Sequence, residues 1–204
     1  MGETLVDETR VWRSWAAYLG VSPDTFFAVL DDVIAAGQHH RRVFHRLRPG
    51  FDLAAARLER AIRGDADGFA AADLYPDAAP CLTTLRRAGL SIGIAGNVPL
   101  DDDLAAALEA DVVTSGAEWG VEKPALGFFT AIAKLAGVKA ARIAYVGDRL
   151  DNDVLPARAA GMVSVFIERG PWGRRHAMLA DVTLADVRVR SLAELPEALR
   201  RLGR

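Results

Sequence analysis

Asp148, Asp151 and Asp153 fall within six residues, directly after the apolar run 143–146 and Gly147. Carboxylates set this closely repel one another unless a cation lies among them, and hard oxygen donors suit Mg2+. A plainer use exists, with Asp153 as a helix N-cap and its neighbours as solvated acids of a first turn. The apolar run leading straight into the acids favours the metal site. Such a run is the mark of a buried parallel strand, and open α/β sheets bind ligands at the carboxyl ends of their strands. Asn97 follows Gly96 at the end of the run 90–95, and Lys123 precedes Pro124. Each alone is unremarkable, Asn97 as a turn residue and Lys123 as a surface lysine. Placed on loops at one sheet edge they would form an oxyanion or phosphate pocket. Asn97 would donate hydrogen bonds, Lys123 would neutralise phosphate charge, and Asp148 would hold a Mg2+ bridging to the same phosphate.

The elements that must position these residues are legible from periodicity and punctuation. From residue 74 onward, helices alternate with short apolar runs at 90–95, 112–113, 143–146 and 163–167, with one more short strand inside 182–189. Alternation of this kind implies βαβ units and a doubly wound parallel sheet. The helices are expected at 81–88, 100–108, 124–136 (with Pro124 in first position), after the acids up to Gly161, and at 192–202. The segment 169–173, glycines around Trp172, follows the strand 163–167 and could rim the pocket, though such a pattern more often makes a tight surface loop. Residues 11–73 show only helical spacing, in four short helices: the first stops at Gly20, the second opens at Ser22-Pro23 and turns Phe26, Phe27, Leu30, Val33 and Ile34 inward, the third ends before Pro49 and the fourth at Gly64. The expected organisation is therefore an α/β core from 1–10 and 74–204, interrupted by a helical insert at 11–73.

The chain has 204 residues, about half of them apolar, with a net charge of −2. Nothing in that balance suits a nucleic acid or a membrane surface. The basic runs 39–42 and 174–176 are short enough to be solvated faces. A single cysteine, Cys81, excludes an internal disulfide and fits a reducing cytoplasm. No apolar run approaches the ~20 residues of a membrane span, and no signal peptide is evident.

In these residues the chain resembles the haloacid dehalogenase-like (HAD) hydrolase superfamily. Residues 90–97, LSIGIAGN, resemble its second motif, 121–128, VEKPALGF, its third, and 146–153, VGDRLDND, its acidic fourth. Residues 2–7, GETLVD, resemble the tail of the first, DxDGT followed by LxD. The resemblance implies a Rossmann-like core and, at 11–73, a cap over the site. It also implies Mg2+ as cofactor and hydrolysis of a small phosphorylated metabolite through an aspartyl-phosphate. Thr4, Asn97, Lys123 and Asp148 would be catalytic, with Asn97, Lys123 and Trp12 as substrate contacts. Gly2 (through its carbonyl), Asp148 and Asp153 would hold the metal.

The nucleophilic aspartate of the first motif would stand immediately before Met1, at the end of a central strand that the 204 residues do not contain. The 204-residue chain is accordingly expected to be inactive. Gly2 stands where the family places a proton-donating aspartate, and Glu3 replaces the usual glycine. Two rivals follow: a non-catalytic ligand-binding protein on the same fold, and a 2-haloacid dehalogenase-type hydrolase. The dehalogenase needs no metal, so Asp148 and Asp153 argue against it.

Overall fold

A computed structural model describes residues 1–65 and 68–203; Ala66 and Asp67, within the expected insert, and Arg204 lie outside the described residues. The chain divides into two units, one of Met1–Asp7 with Ala70–Arg204 and one of Glu8–Phe69.

The second unit is helical: α1 (Thr9–Leu19), α2 (Pro23–Ala35), α3 (Arg42–Leu47) and α4 (Leu53–Ile62). Its punctuation is as the sequence indicates. Gly20 takes φ +72° to end α1, and the Ser22 hydroxyl caps α2 by accepting from the Thr25 N–H at 3.1 Å. Trp15 is buried edge-on to Phe44 at 4.8 Å and carries the Arg60 guanidinium on its other contact at 4.0 Å. Arg60 is only 2% exposed, which is tolerable because Asp65 pairs with it at 3.1 Å and Ser14 accepts from it at 2.6 Å.

The first unit alternates in the manner expected of an α/β core. After α5 (Ala78–Arg87) come β1 (Gly93–Gly96), α6 (Asp102–Ala107), β2 (Val112–Ser115), α7 (Gly116–Trp119) and α8 (Leu126–Ala136). Next are β3 (Ala144–Gly147), a π-helical turn at Leu150–Val154, α9 (Leu155–Ala159), β4 (Val163–Ile167), α10 (Gly170–His176), β5 (Val187–Val189) and α11 (Leu195–Arg201). All strand pairs are parallel, β1 with β2 and β3-β4-β5 in that order. Among the described residues the strands therefore form two sheets, one of β1 and β2 and one of β3, β4 and β5. Helix α8 serves both: Phe128 and Phe129 pack with Tyr145 of β3, and Ala95 of β1 lies against the same cluster.

Three local expectations are corrected. Pro124 is not the first residue of a helix; α8 begins two residues later, at Leu126. The strand expected at 90–95 starts only at Gly93, because the Ile92 N–H is taken by the Asp111 carboxylate at 2.7 Å. The segment expected as a surface loop is α10, and its Trp172 is 8% exposed. Among the described residues no helix is long and apolar enough to cross a membrane.

Candidate active site

Strand β3 ends at Gly147, and the chain folds back at once so that Asp153 lies over that glycine. A Cβ on Gly147 would sit 2.4 Å from the Asp153 Cβ, so only glycine fits there. Asp148 and Asp153 are both buried, at 6% and 3% exposure, whereas Asp151 is exposed and forks onto Arg149 at 3.1 and 2.6 Å. The three acids thus part company: two face inward and one is a surface ion pair.

Lys123 reaches this turn from the loop before α8. Its Nζ donates to Asp153 Oδ1 at 2.6 Å, and the second Asp153 oxygen accepts from the Arg149 N–H at 3.2 Å. Burial alone would lower the lysine pKa, but the Asp153 carboxylate, with Tyr145 and Asp148 behind it, outweighs that and holds it above its ordinary value. Lys123 is a fixed cation at neutral pH. The ring of Tyr145 lies 6.0 Å below the ammonium, and burial raises its phenol against the pull of the lysine.

Asn97, just past β1, positions the Lys123 loop. Its Oδ1 accepts from the Lys123 N–H at 2.8 Å, and its Nδ2 donates to the Lys123 carbonyl at 3.3 Å. An amide nitrogen carries two protons, so one donor of Asn97 is left for a ligand. Thus Asn97, Lys123, Asp148 and Asp153 are brought together from two sheets.

The loop at residues 1–7 lies at the same strand ends. Met1 is next to Gly96, where a Cβ would be 3.8 Å from the methionine Cε, and its carbonyl accepts from the N–H groups of Thr4, Leu5 and Val6. Glu3 is buried in a left-handed conformation (φ +53°), accepting from the Tyr75 hydroxyl at 2.6 Å. The Arg169 guanidinium donates to the Thr4 carbonyl at 3.0 Å, and Arg169 in turn pairs with Asp77. The Thr4 hydroxyl is buried and has no hydrogen-bond partner among the described residues. A buried hydroxyl left unpaired costs about 1–3 kcal/mol, so it points to a group that the pocket receives.

Among the described residues no three His, Cys, Asp or Glu side chains gather as a metal cluster. Mg2+ does not require one: it binds through one or two carboxylates and keeps its remaining positions for water and phosphate oxygens. The inward-facing Asp148 supplies such a donor, so the residues fit a Mg2+ ion. Asp153 has both oxygens engaged by Lys123 and Arg149. Trp12 belongs to the helical unit, where it packs against Phe26 at 5.8 Å and His40 at 5.7 Å. His176, whose Nδ1 accepts from the Leu150 N–H at 2.9 Å, was not among the expected site residues.

A lysine and buried carboxylates thus gather at the carboxyl ends of a parallel α/β core, where open α/β sheets bind their ligands. Residues 1–161 match the family described as haloacid dehalogenase-like hydrolase, and the chain belongs to that family. It is 33% identical over 162 residues to a glyceraldehyde 3-phosphate phosphatase of Methanopyrus kandleri, covering 74% of this chain and 70% of that protein. A second glyceraldehyde 3-phosphate phosphatase, from Methanocaldococcus jannaschii, is 32% identical over 143 residues, covering 63% of this chain. The chain spans only 57% of that relative's length. Among solved structures, a HAD phosphatase from Thermococcus onnurineus shares the fold with a TM-score of 0.59 and 23% identity, over 98% of this chain and 94% of that one.

Proposed function

We propose that this hydrolase site is a phosphatase site for a small phosphorylated metabolite, with Mg2+ as cofactor. The observation that carries the reading is the buried ion pair of Lys123 and Asp153 beside the inward-facing Asp148. That pair keeps a cation at a strand end, next to a carboxylate suited to a divalent metal. The phosphatase names of the relatives support the same substrate class. Lys123 would neutralise phosphate charge, the free donor of Asn97 would bind a phosphate oxygen, and Thr4 would spend its unpaired hydroxyl on the same group. Asp148 and the Gly2 carbonyl would hold the metal, which when bound polarises the phosphoryl group and offsets its charge, while Asp153, expected as a third ligand, has its oxygens on Lys123 and the Arg149 N–H and would orient the lysine. The insert at 11–73 would act as the cap, with Trp12 a candidate substrate contact. The reducing setting suggested by a lone cysteine fits a cytoplasmic protein.

The chemistry of such a site runs through an aspartyl-phosphate. In the register of the first motif, the carrier aspartate stands one position before Met1. Met1 lies beside Gly96 at the carboxyl end of β1, so the first motif stands at the same strand ends as the other three. A non-catalytic binding role is the second reading, and Gly2 in place of a proton-donating aspartate favours it.

The test is phosphate release from glyceraldehyde 3-phosphate, phosphoserine and p-nitrophenyl phosphate with Mg2+. The 204-residue chain and a chain with an aspartate-ended strand joined to Met1 would be compared. Mg2+-dependent release by the extended chain, lost in its Asp148→Asn variant, is expected. Release by the extended chain that survives Asp148→Asn or the removal of Mg2+ would overturn the reading.

A further inference from the structure

Helix α10 lies directly on the acidic loop, and it touches three consecutive residues of that loop. Gly173 abuts Asp148: a Cβ there would be 3.5 Å from the Asp148 Cβ and 2.9 Å from the Ile167 carbonyl oxygen. Trp172 lies under the Arg149 guanidinium at 3.9 Å. His176, 7% exposed, accepts from the Leu150 N–H in a buried hydrogen bond of 2.9 Å. Trp172 and His176 are themselves edge-on at 5.3 Å, so the three contacts form one unit.

From this geometry we infer that His176 is a positioning residue, and that the Trp172–Gly173–His176 face clamps residues 148–150 so that Asp148 stays turned inward. The Leu150 N–H opens the π-helical turn Leu150–Val154, which carries Asp153 back to Lys123. At this point an α-helical hydrogen bond is unavailable, because the turn is only beginning and its first N–H groups have no partner within it. His176 supplies that partner from outside. The acceptor must be a neutral ring nitrogen at the δ position. Burial does hold the imidazole below its ordinary pKa, against the attraction of Asp151. Groups that orient a ligating side chain without touching the metal typically change metal affinity 10–100-fold when removed. The metal half of the inference rests on the proposed function; the clamp itself does not.

The test uses the 204-residue chain with two readouts, amide hydrogen exchange at residues 148–154 and Mg2+ affinity by calorimetry. His176→Leu removes the acceptor and is expected to speed Leu150 exchange at least about tenfold while weakening Mg2+ by about 10–100-fold. His176→Asn places an oxygen where Nδ1 stands and is expected to restore both, whereas His176→Gln, with its oxygen one bond further out, is not. Should His176→Leu fail to fold, the contrast between the Asn and Gln variants decides the same question. Unchanged exchange in His176→Leu, or equal behaviour of Asn and Gln, overturns the clamp. If the wild-type chain takes no Mg2+ yet the exchange results follow the expected order, the metal reading fails and the clamp stands.

Discussion

Replacing Lys123 with methionine keeps the aliphatic stem and removes the charge, leaving Asp153 buried without its cation. Both side chains are nearly dry, 9% exposed for Lys123 and 5% for Asp153, at an N–O separation of 2.6 Å. Breaking a buried pair by deleting one partner costs about 3–5 kcal/mol, chiefly because the other charge is stranded. Asp153 keeps the Arg149 N–H at 3.2 Å, so the lower end applies, about 3 kcal/mol. That is more than a hundredfold in the folding equilibrium, as each 1.4 kcal/mol is about tenfold. The double variant Lys123→Met, Asp153→Asn removes the stranded charge and is expected to recover more than half of the loss. The assay is urea unfolding followed by tryptophan fluorescence, with the four variants of the cycle compared at equal slope. The lysine pKa is raised in the folded chain, so its contribution is fully present below the ordinary lysine pKa of about 10.4 and lost only as pH rises beyond it. The penalty should thus be the same at pH 6 and pH 9. A cost under about 1 kcal/mol, or a double variant no more stable than the single one, would refute the stranded-charge argument.

Gly147→Ala would drive a methyl group into Asp153, and a loss of about 1–3 kcal/mol, read from the urea midpoint, is expected, together with weakened Mg2+ binding. Thr4→Val removes a buried hydroxyl that has no partner, so stability should stay level or rise by about 1 kcal/mol while inorganic phosphate binds less tightly. His176 is held below its ordinary pKa, so the unfolded chain binds the extra proton. Its stabilising contribution is present above about pH 6.5 and lost as pH falls below that value. Comparing urea midpoints at pH 7 and pH 5 should show that slope in the wild type and a smaller one in His176→Asn.

Most of the α/β order could be read from the sequence because glycine and proline mark its joints. Gly20, Gly137 and Gly161 all take positive φ at helix ends, and Ser22-Pro23 opens α2 as its residue types dictate. The site was legible to the extent that its chemistry is local: Asp148 and Asp153 share a turn, and Lys123 and Asn97 stand beside strand or helix punctuation. What spacing could not give is partnership. Asp151 carries the same side chain as Asp153, yet one forks onto a surface arginine and the other is buried under Lys123, a difference set by the π-helical turn. Helix α10 was missed because Gly170 and Gly173 look like loop residues; both are glycine for lack of room, against Glu3 and the Ile167 carbonyl respectively. His176 gave no signal of its own, since a lone histidine after two arginines matches any solvated helix end.

The most direct test of the site is calorimetric titration of MgCl2 with inorganic phosphate into the chain, alongside Asp148→Asn and Lys123→Met. Saturable binding is predicted, with Mg2+ lost in Asp148→Asn and phosphate weakened in Lys123→Met. Absence of saturable heat, or binding that survives Asp148→Asn unchanged, would contradict the assignment of these strand ends as a metal and phosphate site.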